Sequence, residues 1–297
     1  MALPLDRVDE GLARTSWPPI MHGMPGRPRN PGGTEDRALP FTTANGISIH
    51  YKLAGRSGPV VVLLHEMGGT LHGWDAVAPG LSEGFRVLRY DQRGAGLTEK
   101  VRRSFGNETA VEDLEGLLAK LELAPPYHVV AVAAASTQAL LFRERHPESI
   151  ASLVLCNPAL GVDPSRAGQL NERADLAERE GMRAVLSVTI DKSFPPELAD
   201  RETYEKYRGR YLANDPVGFA FANRMLARTN VADMLPRIHC PTLVVAGRRD
   251  SVRPPATSEA IAGKIPGARF ELIDAGHFMP TTAPAALLAL LENFLRA

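Results

Sequence analysis

The sequence predicts an α/β fold: a mostly parallel sheet of about eight strands, covered by helices on both faces, with a helical cap inserted near its middle. Three observations carry this expectation. From about residue 41, apolar runs of strand length alternate with amphipathic runs of helix length, the pattern of consecutive βαβ units. Several strand runs are continuously apolar, as strands buried on both faces require. The alternation stops between about residues 160 and 236, where the chain turns polar and helical, and then resumes.

The elements follow in order. "ISIHYKLAG" has the period-two pattern of a half-buried strand and ends at a glycine. "GPVVVLLHE" reads as a buried strand, "WDAVAPGLSEG" as a short amphipathic helix and "FRVLRYD" as another strand. "ETAVEDLEGLLAKLEL" puts Val111, Leu114, Leu117, Leu118 and Leu121 on one helical face, with acidic residues near its positive N-terminal end. "YHVVAV", "AASTQALLFRERH" and "IASLVLCNP" read as strand, helix and strand. After the helical segment come "PTLVVAG", "PATSEAIAGKI", "ARFELIDA" and "PAALLALLENFL", again strand, helix, strand and helix. The segment between is too long for a loop. The expected organisation is an N-terminal arm at 1–38, a first core part at 39–159, a helical cap at 160–236 and a last core part at 237–297. The arm is rich in Pro, Gly and Arg and reads as extended. Such an arm suits packing across a second copy, so a homo-oligomer is compatible with the sequence.

The 297 residues suit one large domain or a core with an insertion. Lys plus Arg and Asp plus Glu both number 34, so the formal net charge is zero. A nucleic-acid or acidic-membrane partner needs a basic surface, and none is expected. No apolar run approaches the roughly 20 residues of a membrane helix. The two cysteines, Cys156 and Cys240, read as buried thiols of a reducing compartment, and no leader pattern opens the chain. A cytoplasmic location is the expectation.

Ligands of open parallel sheets bind beyond the carboxyl ends of the strands. There the sequence places "HEMGG", "DQRGAG", an alanine stretch, "RRDSV" with Asp250, and "GHFMP" with His277. An acid after a late strand and a histidine after the last one follow the chain order nucleophile, acid, histidine. The motifs "RYDQRGAGLTEK", "VEDLEGLLAKL", "HPESIASLVLCNPA", "EREGMRAV", "CPTLVVAGRRDSVRPP" and "DAGHFMP" resemble the alpha/beta-hydrolase superfamily over about residues 41–297, and within it the 3-oxoadipate enol-lactonase and carbon–carbon bond hydrolase branch. The resemblance implies cofactor-independent hydrolysis of a small carboxylic ester or lactone, or of a carbon–carbon bond next to a carbonyl. It implies a small-molecule substrate as the partner, Asp250 as the triad acid and His277 as the base. The amides of Met67 and Ala134 would form the oxyanion hole.

The family elbow, Gly-x-Ser-x-Gly, falls on Ala131, Val132, Ala133, Ala134 and Ala135, so the nucleophile position is Ala133. Three explanations stand. The chain is an inactivated variant of an active parent; or it is a natural protein that activates water with Asp250 and His277, or binds without turnover; or Ser136 is the nucleophile, one helical turn beyond. A non-hydrolytic binding protein on the same fold is the alternative function.

Glu66, Trp74, Arg183 and Arg224 are weaker substrate-binding candidates, and Arg173 a further one for an acidic substrate. Glu66 beside an oxyanion site would oppose negative charge, which favours a structural role. Asn157 occupies another place where such hydrolases carry the acid, and an amide cannot do that work. His65 is expected to brace its loop. His22, His50, His72, His128, His146 and His239 are scattered with no metal-ligand spacing, and no metal, nucleotide or other cofactor is expected.

Overall fold

The computed structural model describes residues 40–297. The proposed arm and His22 lie outside the described residues. Eight strands form one sheet in the order β1-β2-β4-β3-β5-β6-β7-β8. They are β1 (Phe41–Ala44), β2 (Ile47–Ala54), β3 (Val60–Leu64), β4 (Arg86–Tyr90), β5 (Tyr127–Val132), β6 (Ile150–Cys156), β7 (Thr242–Gly247) and β8 (Arg269–Ile273). The β1–β2 and β2–β4 pairs are antiparallel, and the other neighbours run parallel. No apolar run marks β1. It is a hairpin partner of β2, joined through Asn45 and Gly46 with φ of 46° and 75°. Positive φ at both turn residues matches the twist of a two-residue hairpin, and Asn-Gly adopts it at little cost.

The core lies on both sides of the sheet because successive side chains of a strand point to opposite faces. In β3, Val62 and Leu64 pack with Val129, Ala131 and Leu155 on one face. Val61 and Leu63 pack with Val130, Val132 and Cys156 on the other. This is why the strand runs lack polar alternation.

The helices are α1 (Ala78–Leu81), α2 (Asn107–Lys120), α3 (Ala135–Arg145), α4 (Pro164–Glu180), α5 (Ile190–Ser193), α6 (Arg201–Leu212), α7 (Pro216–Ala227), α8 (Pro255–Ala262), α9 (Met279–Thr282) and α10 (Pro284–Leu295). Helices α4 to α7 lie between β6 and β7 in the chain, and we call this segment the cap. Side-chain caps start two of them: Asp200 accepts from Thr203 N at 2.9 Å, and Asp215 from Gly218 N at 3.2 Å. The cap has its own apolar cluster, in which Phe194, Tyr207, Tyr211 and Phe219 meet Phe278 from the core. Gly218 of α7 also rests directly on Gly94. A Cβ on Gly218 would fall 2.4 Å from the Gly94 carbonyl oxygen, a contact only glycine permits.

Candidate active site

Strand β5 ends at Val132 and α3 begins at Ala135, leaving two residues for the turn. Ala133 takes φ of 50°, the left-handed conformation that costs an L-residue about 1 kcal/mol or more. Backbone bonds hold it there. Its N–H donates to Cys156 O at 2.9 Å, and its carbonyl accepts from Ser136 N at 3.1 Å and Ala159 N at 3.0 Å. The turn is a strained elbow with a methyl group at its apex. Ser136 is fully buried and its hydroxyl has no partner among the described residues. It also stands outside the lining of the nearby cavity, so a substrate there would not meet it.

Asp250 and His277 come from the loops after β7 and β8. Asp250 Oδ2 accepts from His277 Nδ1 at 2.7 Å. Its Oδ1 accepts from the N–H groups of Val252 and Arg253 at 2.8 and 2.9 Å. Both residues are buried. With Nδ1–H donated to the carboxylate, the basic nitrogen of a neutral imidazole is Nε2, which has no partner among the described residues. Asn157 holds this arrangement from below. Its side chain donates to the carbonyls of Gly276 (3.1 Å) and His277 (3.0 Å) and accepts from Gly247 N at 2.8 Å. One amide thus ties the ends of β6, β7 and β8 together, using a donor that a carboxylate lacks and an acceptor that an apolar residue lacks as well.

A cavity of about 60 Å³ lies between core and cap. The loop 65–68, the loop 92–95, the start of α3 and the inner face of α7 line it. Met67 and Ala134 belong to the lining. Their N–H groups make no hydrogen bond among the described residues. Ala133 and His277 lie outside that lining, and the cap residue Leu198 closes over Gly276 beside His277. Of the elbow residues, Ala134 borders the cavity, whereas Ala133 and the Asp250–His277 pair do not.

Three buried side chains fix the loops around the cavity. His65 donates from Nδ1 to Glu66 O at 2.8 Å and accepts at Nε2 from Gln92 N at 3.0 Å, bonds that need the neutral ring. Glu66 is 2% exposed, and its Oε1 accepts from the hydroxyl of Tyr207 in α6 at 2.6 Å. Burial and the Glu66 carboxylate push the Tyr207 phenol well above its ordinary range. Asp91 accepts from His50 Nδ1 (2.7 Å), Leu71 N (2.8 Å) and Leu97 N (2.7 Å). Sequence reading missed the roles of Asp91, Asn157 and Tyr207. The first two follow strands directly, the signal that singled out Asp250 and His277. Nothing local marks Tyr207, whose partner is 141 residues away.

The weaker substrate candidates divide. Glu66 is at the cavity with its carboxylate engaged by Tyr207. Trp74 is a correction: it is 1% exposed and packs in the core with Val77 and Leu81, because its indole is better removed from water than offered to a ligand. Arg224 is also corrected. It is held on the cap surface by Asp175 and Glu178 at 2.6 Å each, and its charge is already answered. Arg183 is exposed and outside the lining. Arg173 packs over Phe219 and donates to Asn223 at 2.6 Å, also outside the lining. Burial pushes the Cys156 thiol up to about 12, so it stays protonated and unreactive.

The model of the alpha/beta hydrolase fold family matches residues 59–284. The chain belongs to this family. This alpha/beta hydrolase is similar to 3-oxoadipate enol-lactonase 1 of Acinetobacter baylyi, at 24% identity over 89% of this chain and 99% of that one. It is 26% identical to a putative carbamate hydrolase of Rhizobium rhizogenes over 84% of this chain and 98% of the relative. A hydrolase of known structure from Pseudomonas aeruginosa is 31% identical, with a TM-score of 0.82 over 89% of this chain and 100% of that one. The alpha/beta hydrolase fold expected from the alternating runs and the strand-end motifs is therefore the fold of the chain, and its family is one of hydrolases.

Proposed function

We propose that this alpha/beta hydrolase acts on the carbonyl of a small ester, lactone or carbamate, bound between cap and core, without a cofactor. In this reading Asp250 orients His277, and His277 Nε2 takes the proton of the attacking group and returns it to the leaving group. The amides of Met67 and Ala134 receive the oxyanion. Ala133 stands where the nucleophile's hydroxyl would. The chain as written therefore forms no acyl-enzyme, and binds its ligand with at most slow attack by water that His277 deprotonates. The observation that carries this is the pairing of an elbow held at φ of 50° in Ala133 with an Asp250–His277 bond of 2.7 Å.

The test is a panel of short-chain esters, lactones and carbamates, read first by thermal shift and then by single turnover beside Ala133→Ser. The elbow needs no remodelling to accept one hydroxyl. Loss of a triad serine alone costs on the order of a million-fold in turnover in the best-studied hydrolase, so the gain in Ala133→Ser is large. His277→Ala in that background removes it. Equal rates in the chain as written and Ala133→Ser would overturn the assignment of the elbow. Panel members that raise the melting temperature but are turned over by neither protein would favour the non-hydrolytic binding protein.

A further inference from the structure

One residue of the cavity wall, Gln138, carries a buried acceptor with no partner among the described residues. Most polar side chains along the wall are engaged. Arg93 binds Asp113 twice, at 2.7 and 2.5 Å. Asn214 accepts from Gly96 N and donates to Gly68 O, both at 2.8 Å. Thr137 donates to Ala134 O at 2.8 Å, and His65 uses both ring nitrogens. Gln138 differs. Its Nε2 donates to Ala110 O at 2.6 Å and to the Tyr90 hydroxyl at 2.8 Å. Its Oε1 has no partner among the described residues, although the residue is only 3% exposed. The amide cannot be turned over to repair this, because Ala110 O only accepts and requires the nitrogen beside it. An unanswered buried acceptor costs about 1–3 kcal/mol, a penalty that a donor on a ligand would remove.

Charge and length narrow the ligand. Arg93, the one cation of the lining, is already paired with Asp113. Nothing on the wall therefore waits for a carboxylate. The wall is otherwise largely apolar, with Phe105, Phe219, Met225 and Leu226 facing the space. Ala134, the residue that caps α3, and Gln138 within it are four residues apart, about 6 Å along the axis.

Resting on the ester, lactone or carbamate reading above, we infer that the cavity takes a carbonyl compound that carries no anionic group. One arm of it is short, apolar along its length, and ends in an N–H or O–H that donates to Gln138 Oε1. The carbonyl sits at the Met67 and Ala134 amides and the donor about five bonds away.

Three probes of nearly one shape test this by titration calorimetry on the full chain: methyl 5-amino-5-oxopentanoate, which ends in an amide donor; dimethyl glutarate, which has no donor; and monomethyl glutarate, an anion. The amide is expected to bind roughly tenfold more tightly than the dimethyl ester, and the anion weakest. In Gln138→Met, which keeps the length without the acceptor, the amide's advantage falls to about one while the dimethyl ester still binds. The comparison within the unmodified chain stands even if that variant fails to fold. Equal binding of amide and dimethyl ester to the unmodified chain, or an advantage that survives Gln138→Met, overturns the donor subsite and leaves the hydrolase reading intact. Tightest binding of monomethyl glutarate overturns the exclusion of anionic ligands. If none of the three binds, the carbonyl-binding reading falls and this inference with it.

Discussion

Removing the Tyr207 hydroxyl tests how the cap is held on the loop that carries Met67. Tyr207→Phe keeps the ring, which stacks on Phe278 with centroids 5.2 Å apart and meets Phe194 edge-on at 5.1 Å. Only the 2.6 Å bond to Glu66 Oε1 is lost. Glu66 makes no ion pair among the described residues and is 2% exposed. Water therefore cannot readily replace the donor. A hydrogen bond to a buried carboxylate is worth about 2 kcal/mol, which for a chain of this size lowers the melting temperature by roughly 4–8 °C. The assay is urea unfolding with the m-value checked for constancy, run as a double-mutant cycle with Glu66→Gln. The amide oxygen still accepts from Tyr207 but carries no charge, so Tyr207→Phe costs about 1 kcal/mol less in that background. An equal cost in both backgrounds would show that the carboxylate's charge contributes nothing. A cost near zero in the parent would show that the bond does not tie cap to core.

Two further outcomes follow from the same packing. Gly218→Ala drives a methyl into the Gly94 backbone, where no rotamer change relieves it, and should cost roughly 2 kcal/mol with a lower melting temperature. Gly209→Ala, an exposed helical position with nothing within 4 Å of the added Cβ, should instead stabilise by about 0.5–1 kcal/mol; calorimetry that finds the same sign for both contradicts the close approach of α7 to the core. Stability should also fall in alkali: burial raises the phenols of Tyr90 and Tyr207 and pushes Tyr211 up to about 12. A raised folded pKa leaves stability fully present below the unfolded value near 10, and loses it as pH climbs from there toward 12 and beyond. A flat urea midpoint between pH 9 and 12 would refute this, and Tyr207→Phe should flatten part of the decline.

The sequence by itself determined the sheet apart from β1, the order of its parallel strands in the chain and the strand-end loops, because burial on both faces writes continuous Val, Leu and Ile runs such as "VVVLL" and "YHVVAV". It also singled out Asp250 and His277 by their place after strands, and the alanine elbow by resemblance to a family motif. Tertiary structure alone decided what local pattern cannot encode. Trp74 and Arg224 have the residue types of binding groups. Whether an indole faces a ligand or a core, or a guanidinium finds Asp175 and Glu178 first, depends on neighbours distant in the chain. The same holds for Glu66 with Tyr207, for Asn157 bridging three strand ends, and for Gln138, an unremarkable helical glutamine in the sequence. Its nitrogen is claimed by Ala110 and Tyr90, and its oxygen is left without a partner among the described residues, only because α2, β4 and α3 converge on it.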